Sequence, residues 1–195
     1  MPRAQPLAPD ERRAQLLTAA RAVFADRGYF NASVSHIVKA AGVARGTFYN
    51  YFDSKRAVFQ AILDELMDAI NDAVIPIDIA QPIPPQVRAN LGGLIDICTD
   101  PEVSRILFTE AAGIDDEGDL ALRDFYRQAT ARIERALVTG QQMGIVRQGS
   151  MTLTAQILLG ILTQPVLIAS LEGRTIDRDA LATDAFALLA GGILR

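Results

Sequence analysis

Apolar residues recur along this chain at intervals of three and four, the spacing that lines one face of an α-helix. From Pro9 onward, Leu16, Leu17, Ala20, Val23 and Phe24 share one stripe, while Arg12, Arg13, Arg21 and Asp26 take the other side and Gly28 supplies a stop signal. Residues 1–8 read as a flexible tail. A second helix is predicted over Val34–Ala41, with Ser33 placed to accept from its first amides and Gly42 after its end. A short third segment covers 44–51. A fourth helix starts at Asp53-Ser54 and runs to about 73, its stripe formed by Val58, Phe59, Ile62, Leu63, Leu66 and Ile70. The stretch 75–85 has four prolines and no helical period, which marks a hinge or linker. Further helices are expected at 86–99, 101–112 (Asp100 as cap, proline first), 117–140, 152–171 and 179–194. Strand-type alternation is absent. The pattern predicts an all-α chain of about nine helices without internal repeats, with residues 1–56 as a small head and 57–195 as a larger helical body.

Composition narrows the class. Of 195 residues, 50% are hydrophobic, enough for a sizeable core without covalent staples. Cys98 stands alone, so no internal disulfide framework exists, and the usage fits a reducing cytoplasm. The opening residues lack the apolar run of a signal peptide. The most apolar stretch, 153–171, carries Thr163-Gln164-Pro165 near its middle, and is read as a buried or interfacial helix, not a membrane span. Charge is segregated: residues 1–56 carry nine Lys/Arg against four Asp/Glu, the remainder ten against 19, so a head of +5 sits on a body of −9. A basic head suits contact with a polyanion.

The head also carries a motif. Between 33 and 52, two short apolar-spaced segments flank Gly42, the arrangement of a helix-turn-helix. Ile37 and Ala41 face inward from the first segment, Val43 plugs the turn, and Phe48 and Phe52, four apart, anchor the second. That leaves Arg45, Thr47, Tyr49 and Asn50 pointing outward. Arg45 is placed to reach a guanine edge. Gly46 lets a backbone come close, and Thr47, Tyr49, Tyr51 and Lys55 offer donors for phosphate.

The run Gly28-Tyr29-Phe30, Ser33-Val34, Ile37, Ala41-Gly42-Val43 and Arg45-Gly46-Thr47-Phe48-Tyr49-Asn50-Tyr51-Phe52, then Ser54-Lys55, resembles the TetR family of bacterial repressors. The likeness covers residues 9–65. It implies a DNA-binding head, a helical effector-binding and dimerisation body, a homodimer on a double-stranded operator of two-fold symmetry, and release by a small, largely apolar effector. By position it implies DNA contacts from Ser33, Ser35, Arg45, Gly46, Thr47, Tyr49, Asn50, Tyr51 and Lys55, with base readout by Ser35, Arg45, Asn50 and Tyr49 and phosphate contacts from the rest. Four positions depart from the common pattern. Val38 replaces a small residue, Ala44 lacks the hydroxyl of the usual cap, Ala32 stands where threonine is frequent, and His36 takes an often acidic place.

Other candidates are plainer. His36, the single histidine, reads as an exposed helix residue, and Cys98, without a nearby cation, as a small buried hydrophobe. The acidic run 115–119 lacks the alternating ligand spacing of a calcium loop, so neither metal nor cofactor is expected. One His and one Cys, 62 positions apart, offer no catalytic grouping, and no phosphate-binding or dinucleotide fingerprint appears, which argues against an enzyme. Phe108, Phe125, Tyr126 and Met143 are the candidates for an effector pocket. Leu158, Leu162, Val166 and Ala169 form one apolar stripe, and Leu181, Ala185, Leu188, Leu189 and Gly192 another; paired across a two-fold axis they would make a four-helix dimer interface. Pro165 should kink its helix near 160–164.

Overall fold

A computed structural model describes residues 7–109 and 116–192, with the side chains of 108, 109 and 116–119 outside the description. The described residues form nine α-helices and no β-strand. They are α1 (Pro9–Asn31), α2 (Val34–Ala41), α3 (Arg45–Tyr49), α4 (Lys55–Ala73), α5 (Ile83–Cys98), α6 (Pro101–Ser104), α7 (Asp116–Gln142), α8 (Met151–Leu171) and α9 (Arg178–Gly192). The all-α class read from periodicity holds.

The stop signal at Gly28 is real but incomplete. Its φ of 77° and ψ of 161° break α1, after which the chain turns once more to Asn31. Glycine tolerates that left-handed φ without a Cβ clash. The break swings Tyr29 into the core, where it is 1% exposed and packs against Phe24 at 5.6 Å and Phe59 at 4.7 Å. This aromatic cluster fastens α1 to α4.

The core does not divide at residue 57. One continuous apolar cluster runs from Leu16 and Phe24 through Phe59 and Leu66 to Ile106, Leu122, Phe125 and Val166. Helix α4 is shared by head and body, and α1 also rests on the segment after α6. That segment, Arg105–Thr109, winds as a π-helical turn in place of the plain α-helix expected at 101–112; residues 110–112 lie outside the described residues. Asp100 caps the start as predicted, accepting from the amides of Glu102 and Val103, both at 3.0 Å.

The proline-rich connection is tied down. Helix α5 starts at Ile83, earlier than expected, because Pro84 and Pro85 occupy a first turn whose amides have no helical partner. Asn90 Nδ2 donates to the Ile75 carbonyl at 2.7 Å, and its Oδ1 accepts from the Ile75 amide at 3.1 Å. Gln86 Nε2 donates to the Asp78 carbonyl at 2.9 Å, and its Oε1 accepts from the Asp78 amide at 2.8 Å. Arg132 of α7 donates to the Val74 carbonyl at 3.1 Å.

Helix α8 runs unbroken through Pro165. It is long and apolar enough to cross a bilayer, with a mean hydropathy of 1.6 over its best window. One face packs into this chain through Ala155, Leu162, Val166 and Ala169. The other leaves Leu153, Ile157, Ile168 and Leu171 between 40% and 64% exposed.

Candidate nucleic-acid interface

Local chemistry builds the helix-turn-helix. Ser33 Oγ accepts from the His36 amide at 3.3 Å, satisfying one free N–H at the start of α2 while its own proton stays available. Gly42 ends the helix at φ 67° and ψ 31°; its amide donates to the Lys39 carbonyl at 3.3 Å, and that of Val43 to the Val38 carbonyl at 3.1 Å. These bonds turn the chain sharply into α3. A further brace comes from α1: Gln15 Nε2 donates to the Ala41 carbonyl at 2.9 Å, and Arg12 holds Gln15 from its other side at 2.6 Å. Nothing in the local pattern announces that brace, since its partners are 26 positions apart.

Two residues anchor α3 and its exit: Phe48 is fully buried and Phe52 is 5% exposed. Ala44 provides no side-chain cap, as expected from its methyl group. Arg45, Gly46, Tyr49 and Asn50 are exposed, together with Ser35 of α2; Ser33, Thr47 and Tyr51 are half-buried on the same unit. A Cβ at Gly46 would meet no atom within 4 Å, so the fold itself does not demand glycine there. Close approach of another molecule would give the missing side chain a use. The helix is shorter than the expected 44–51, with Asn50 and Tyr51 in the turn that follows.

Lys55 also has a role inside the fold. Its ammonium donates to the Tyr29 carbonyl at 2.8 Å and sits 4.1 Å from the centre of the Tyr29 ring. The bond ties the start of α4 to the end of α1, just past the break at Gly28. Two N–H donors of the ammonium remain for a phosphate. Lys55→Met should therefore lower folding stability by about 1.5–3 kcal/mol in a urea melt, the range for a bond to a charged donor. A residue that served only phosphate would leave the melt unchanged.

Across the helices, Arg21 pairs with Glu65 of α4 at 2.6 Å and Arg13 with the same carboxylate at 3.9 Å; Arg13 also lies 5.3 Å from the Phe52 ring centre. These half-exposed pairs add little stability each but orient the head on α4. His36 is half-buried, not exposed, and its enclosed Nδ1 has no hydrogen-bond partner among the described residues.

The candidates in the body do not converge. Phe125 is 4% exposed in the main core, and the Tyr126 hydroxyl donates to the Leu107 carbonyl at 3.3 Å. Met143, 46% exposed, lies beyond the end of α7, about 26 Å along the helix axis from Tyr126 at 1.5 Å per residue. The side chain of Phe108 lies outside the described residues, as do those of the acidic run; the described residues hold no His/Cys/Asp/Glu group able to bind a metal. A cleft of about 720 Å³ lies between α8 and α9, lined by Ile161, Gln164, Ile168, Ala180, Asp184 and Leu188 among others, and includes none of the described effector candidates, Phe125, Tyr126 and Met143.

Cys98 is half-buried, packed against the main core. Burial pushes its thiol up from about 9 to about 11. Burial, and then the nearby Cys98, push the Tyr126 phenol up to about 12. The native state thus holds both protons at pH values where an unfolded chain releases them, so stability should fall as pH rises from about 9 through 11. At pH 8 a thiol reagent should label Cys98 far more slowly in the folded protein than in urea. Equal rates would show an accessible, reactive thiol.

For the dimer candidates, Leu162, Val166, Ala169 and Ala185 are buried inside the single chain, between 1% and 6% exposed. Leu158, Leu181, Leu189 and Gly192 are half-buried, and Leu188 is 60% exposed. An all-round apolar sequence does not say which face of a helix the protomer uses itself.

Set beside known proteins, both parts of the chain find relatives. A family model described as bacterial regulatory proteins of the tetR family matches residues 16–62, and one described as tetracyclin repressor-like, C-terminal domain, matches 84–193. The regulator UidR of Escherichia coli K12 is 28% identical over 186 residues, covering 93% of this chain and 92% of that protein. The activator FasR of Mycolicibacterium smegmatis is 43% identical over 65 residues, 33% of this chain and 30% of FasR, so that likeness concerns the head alone. Among solved structures, the fatty acid degradation regulator FadR of Bacillus halodurans superimposes with a TM-score of 0.78 at 26% identity, covering 96% of this chain and 98% of that one. FadR of Bacillus subtilis, solved with stearoyl-CoA, gives 0.78 at 22% identity over 92% and 98%. The chain belongs to the TetR family. It is a transcriptional regulator and not an enzyme.

Proposed function

We propose that the protein is a ligand-responsive repressor that binds a palindromic operator as a homodimer and is released by a small, largely apolar effector. The observation that carries the reading is the two-sidedness of α3. Phe48 is buried completely, while Arg45, Gly46, Tyr49 and Asn50 on its other side are exposed and unspent in the core. In this reading Ser35, Arg45 and Asn50 meet base edges, with Tyr49 beside Arg45 on the same face. Ser33, Thr47, Tyr51, Lys55 and the Gly46 backbone hold phosphates. Residues 1–56 act as the reading head and 57–195 as the effector-binding and dimerising body, in the cytoplasm where operator DNA lies.

The dimer is supported by the uncovered side of α8. Leu153, Ile157, Ile168 and Leu171 follow the spacing of a helix-packing seam, with Gly160, Ile161 and Gln164 between them and Leu188 of α9 alongside. So large an apolar surface calls for a covering partner. A second copy related by a two-fold axis covers it in an isologous way and sets two heads on one face of a duplex.

For the effector, the long-chain acyl thioester held by the Bacillus subtilis FadR structure is the first class to try, because that body superimposes on this one. Binding that favours a conformer with wrongly spaced heads lowers operator affinity. The test is selection of bound duplexes from a randomised pool by the full-length protein, then gel shift with and without stearoyl-CoA. The expected result is one palindromic sequence, bound as a dimer. A pool that returns no preferred sequence sinks the repressor reading; a preferred sequence indifferent to the thioester rejects only that effector class.

A further inference from the structure

The guanidinium of Arg45 is held, not loose. Its Nη2 donates to the Tyr49 hydroxyl at 3.2 Å, and its Cζ lies 5.7 Å from the centre of the Tyr49 ring. The two residues are the first and last of α3, so this single contact spans the whole helix. A cation at a helix N-terminus meets the unfavourable end of the dipole, and the phenol oxygen and ring face give the guanidinium a favourable counterpart there.

Tyr49 is itself steadied from below. Its ring meets that of Phe48 edge to face, at 5.4 Å and 89°, and Phe48 is fully buried and packs on Phe52 at 5.8 Å. A rigid path therefore leads from the core through Phe48 and Tyr49 to the Arg45 guanidinium. Arginine carries five N–H donors, so the bond to Tyr49 leaves a pair free for the O6 and N7 of a guanine.

Resting on the reading of α3 as the operator-reading helix, we propose that Tyr49 is a positioning residue for Arg45. Its hydroxyl sets the rotamer that meets the base edge, so one operator position owes its sequence preference to a side chain that reads no base. The physical reason is selective preorganisation. A mobile arginine must be frozen to make a bidentate base contact, and freezing it beforehand removes that cost. In a complex with the wrong base the arginine makes no such contact, and its prior order brings no gain. The hydroxyl therefore favours the right operator over the wrong one.

Tyr49→Phe isolates the effect, because it keeps the ring and its contact with Phe48. The wild-type protein first selects its operator from a duplex pool with a randomised core. The base pair whose preference collapses in Arg45→Ala marks the Arg45 position. Tyr49→Phe should then bind the selected operator about three- to tenfold more weakly. It should bind an operator changed at that one pair as wild type does, and should add no loss in the Arg45→Ala background. A uniform loss on both duplexes, persisting in that background, would identify a phosphate contact and overturn the proposal, as would no loss on either. If the wild-type pool yields no preferred sequence, the operator-reading assignment of α3 fails, visibly before any Tyr49 variant is made.

Discussion

Arg45→Ala should abolish operator recognition while leaving the head folded. One bidentate arginine–guanine pair discriminates by about 1–3 kcal/mol, and a dimer makes it twice, so a loss of at least about 30-fold on the selected operator is expected. The fold has no stake in the side chain. Arg45 is exposed, and its described hydrogen bond is to Tyr49, on the same helix. Removing it even lifts a cation from the N-terminus of α3, which the dipole disfavours. The urea midpoint should stay within about 0.5 kcal/mol of wild type, as for ordinary surface substitutions. Gel shift at one fixed salt concentration measures the effect, with random-sequence DNA as the comparison. Random DNA should lose much less, because phosphate contacts from Ser33, Thr47, Tyr51 and Lys55 remain. Equal losses on both duplexes would show that Arg45 holds phosphate and reads nothing. A loss below threefold would move the reading surface away from α3.

How far the sequence foretold this depends on the range of the interaction involved. The turn at Gly42 was legible because its causes are local: a glycine for a φ of 67°, and apolar residues at helical spacing on either side. Phe48 and Phe52 declared the inner face of α3, and by subtraction Arg45, Tyr49 and Asn50 declared the outer one. The Gln15–Ala41 brace and the Lys55–Tyr29 bond were not legible, since each joins residues 26 apart whose meeting is decided by packing. The π-helical turn at Arg105–Thr109 has no signature in periodicity, because a single i→i+5 turn shifts the stripe by too little to see. Aromatic and methionine positions such as Phe125, Tyr126 and Met143 were gathered by residue type alone. Type says nothing of which side chains a long helix such as α7 brings together.

Helix α8 shows the same limit and yields the other large effect. Its sequence is apolar all round, and the stripe through Leu162, Val166 and Ala169 turned out to serve the protomer's own core. On the opposite side Ile157 is 54% and Ile168 40% exposed, the surface that the proposed dimer would cover. Ile157→Asp combined with Ile168→Asp should therefore convert the protein to a monomer of native helix content. In an isologous interface each aspartate occurs twice, and an unpaired carboxylate taken out of water costs several kcal/mol, about as much as a modest interface supplies. The same change in a free monomer replaces exposed isoleucine by exposed aspartate, so folding loses little. With one head per particle, the second half-site no longer binds as part of the same molecule, and operator affinity should drop by about 10²–10⁴. Light scattering on a sizing column reads the mass, circular dichroism the helices, and gel shift the affinity. A variant that stays dimeric would place the interface elsewhere. One that becomes monomeric yet binds the operator at wild-type affinity would dissolve the link between two-fold symmetry and recognition.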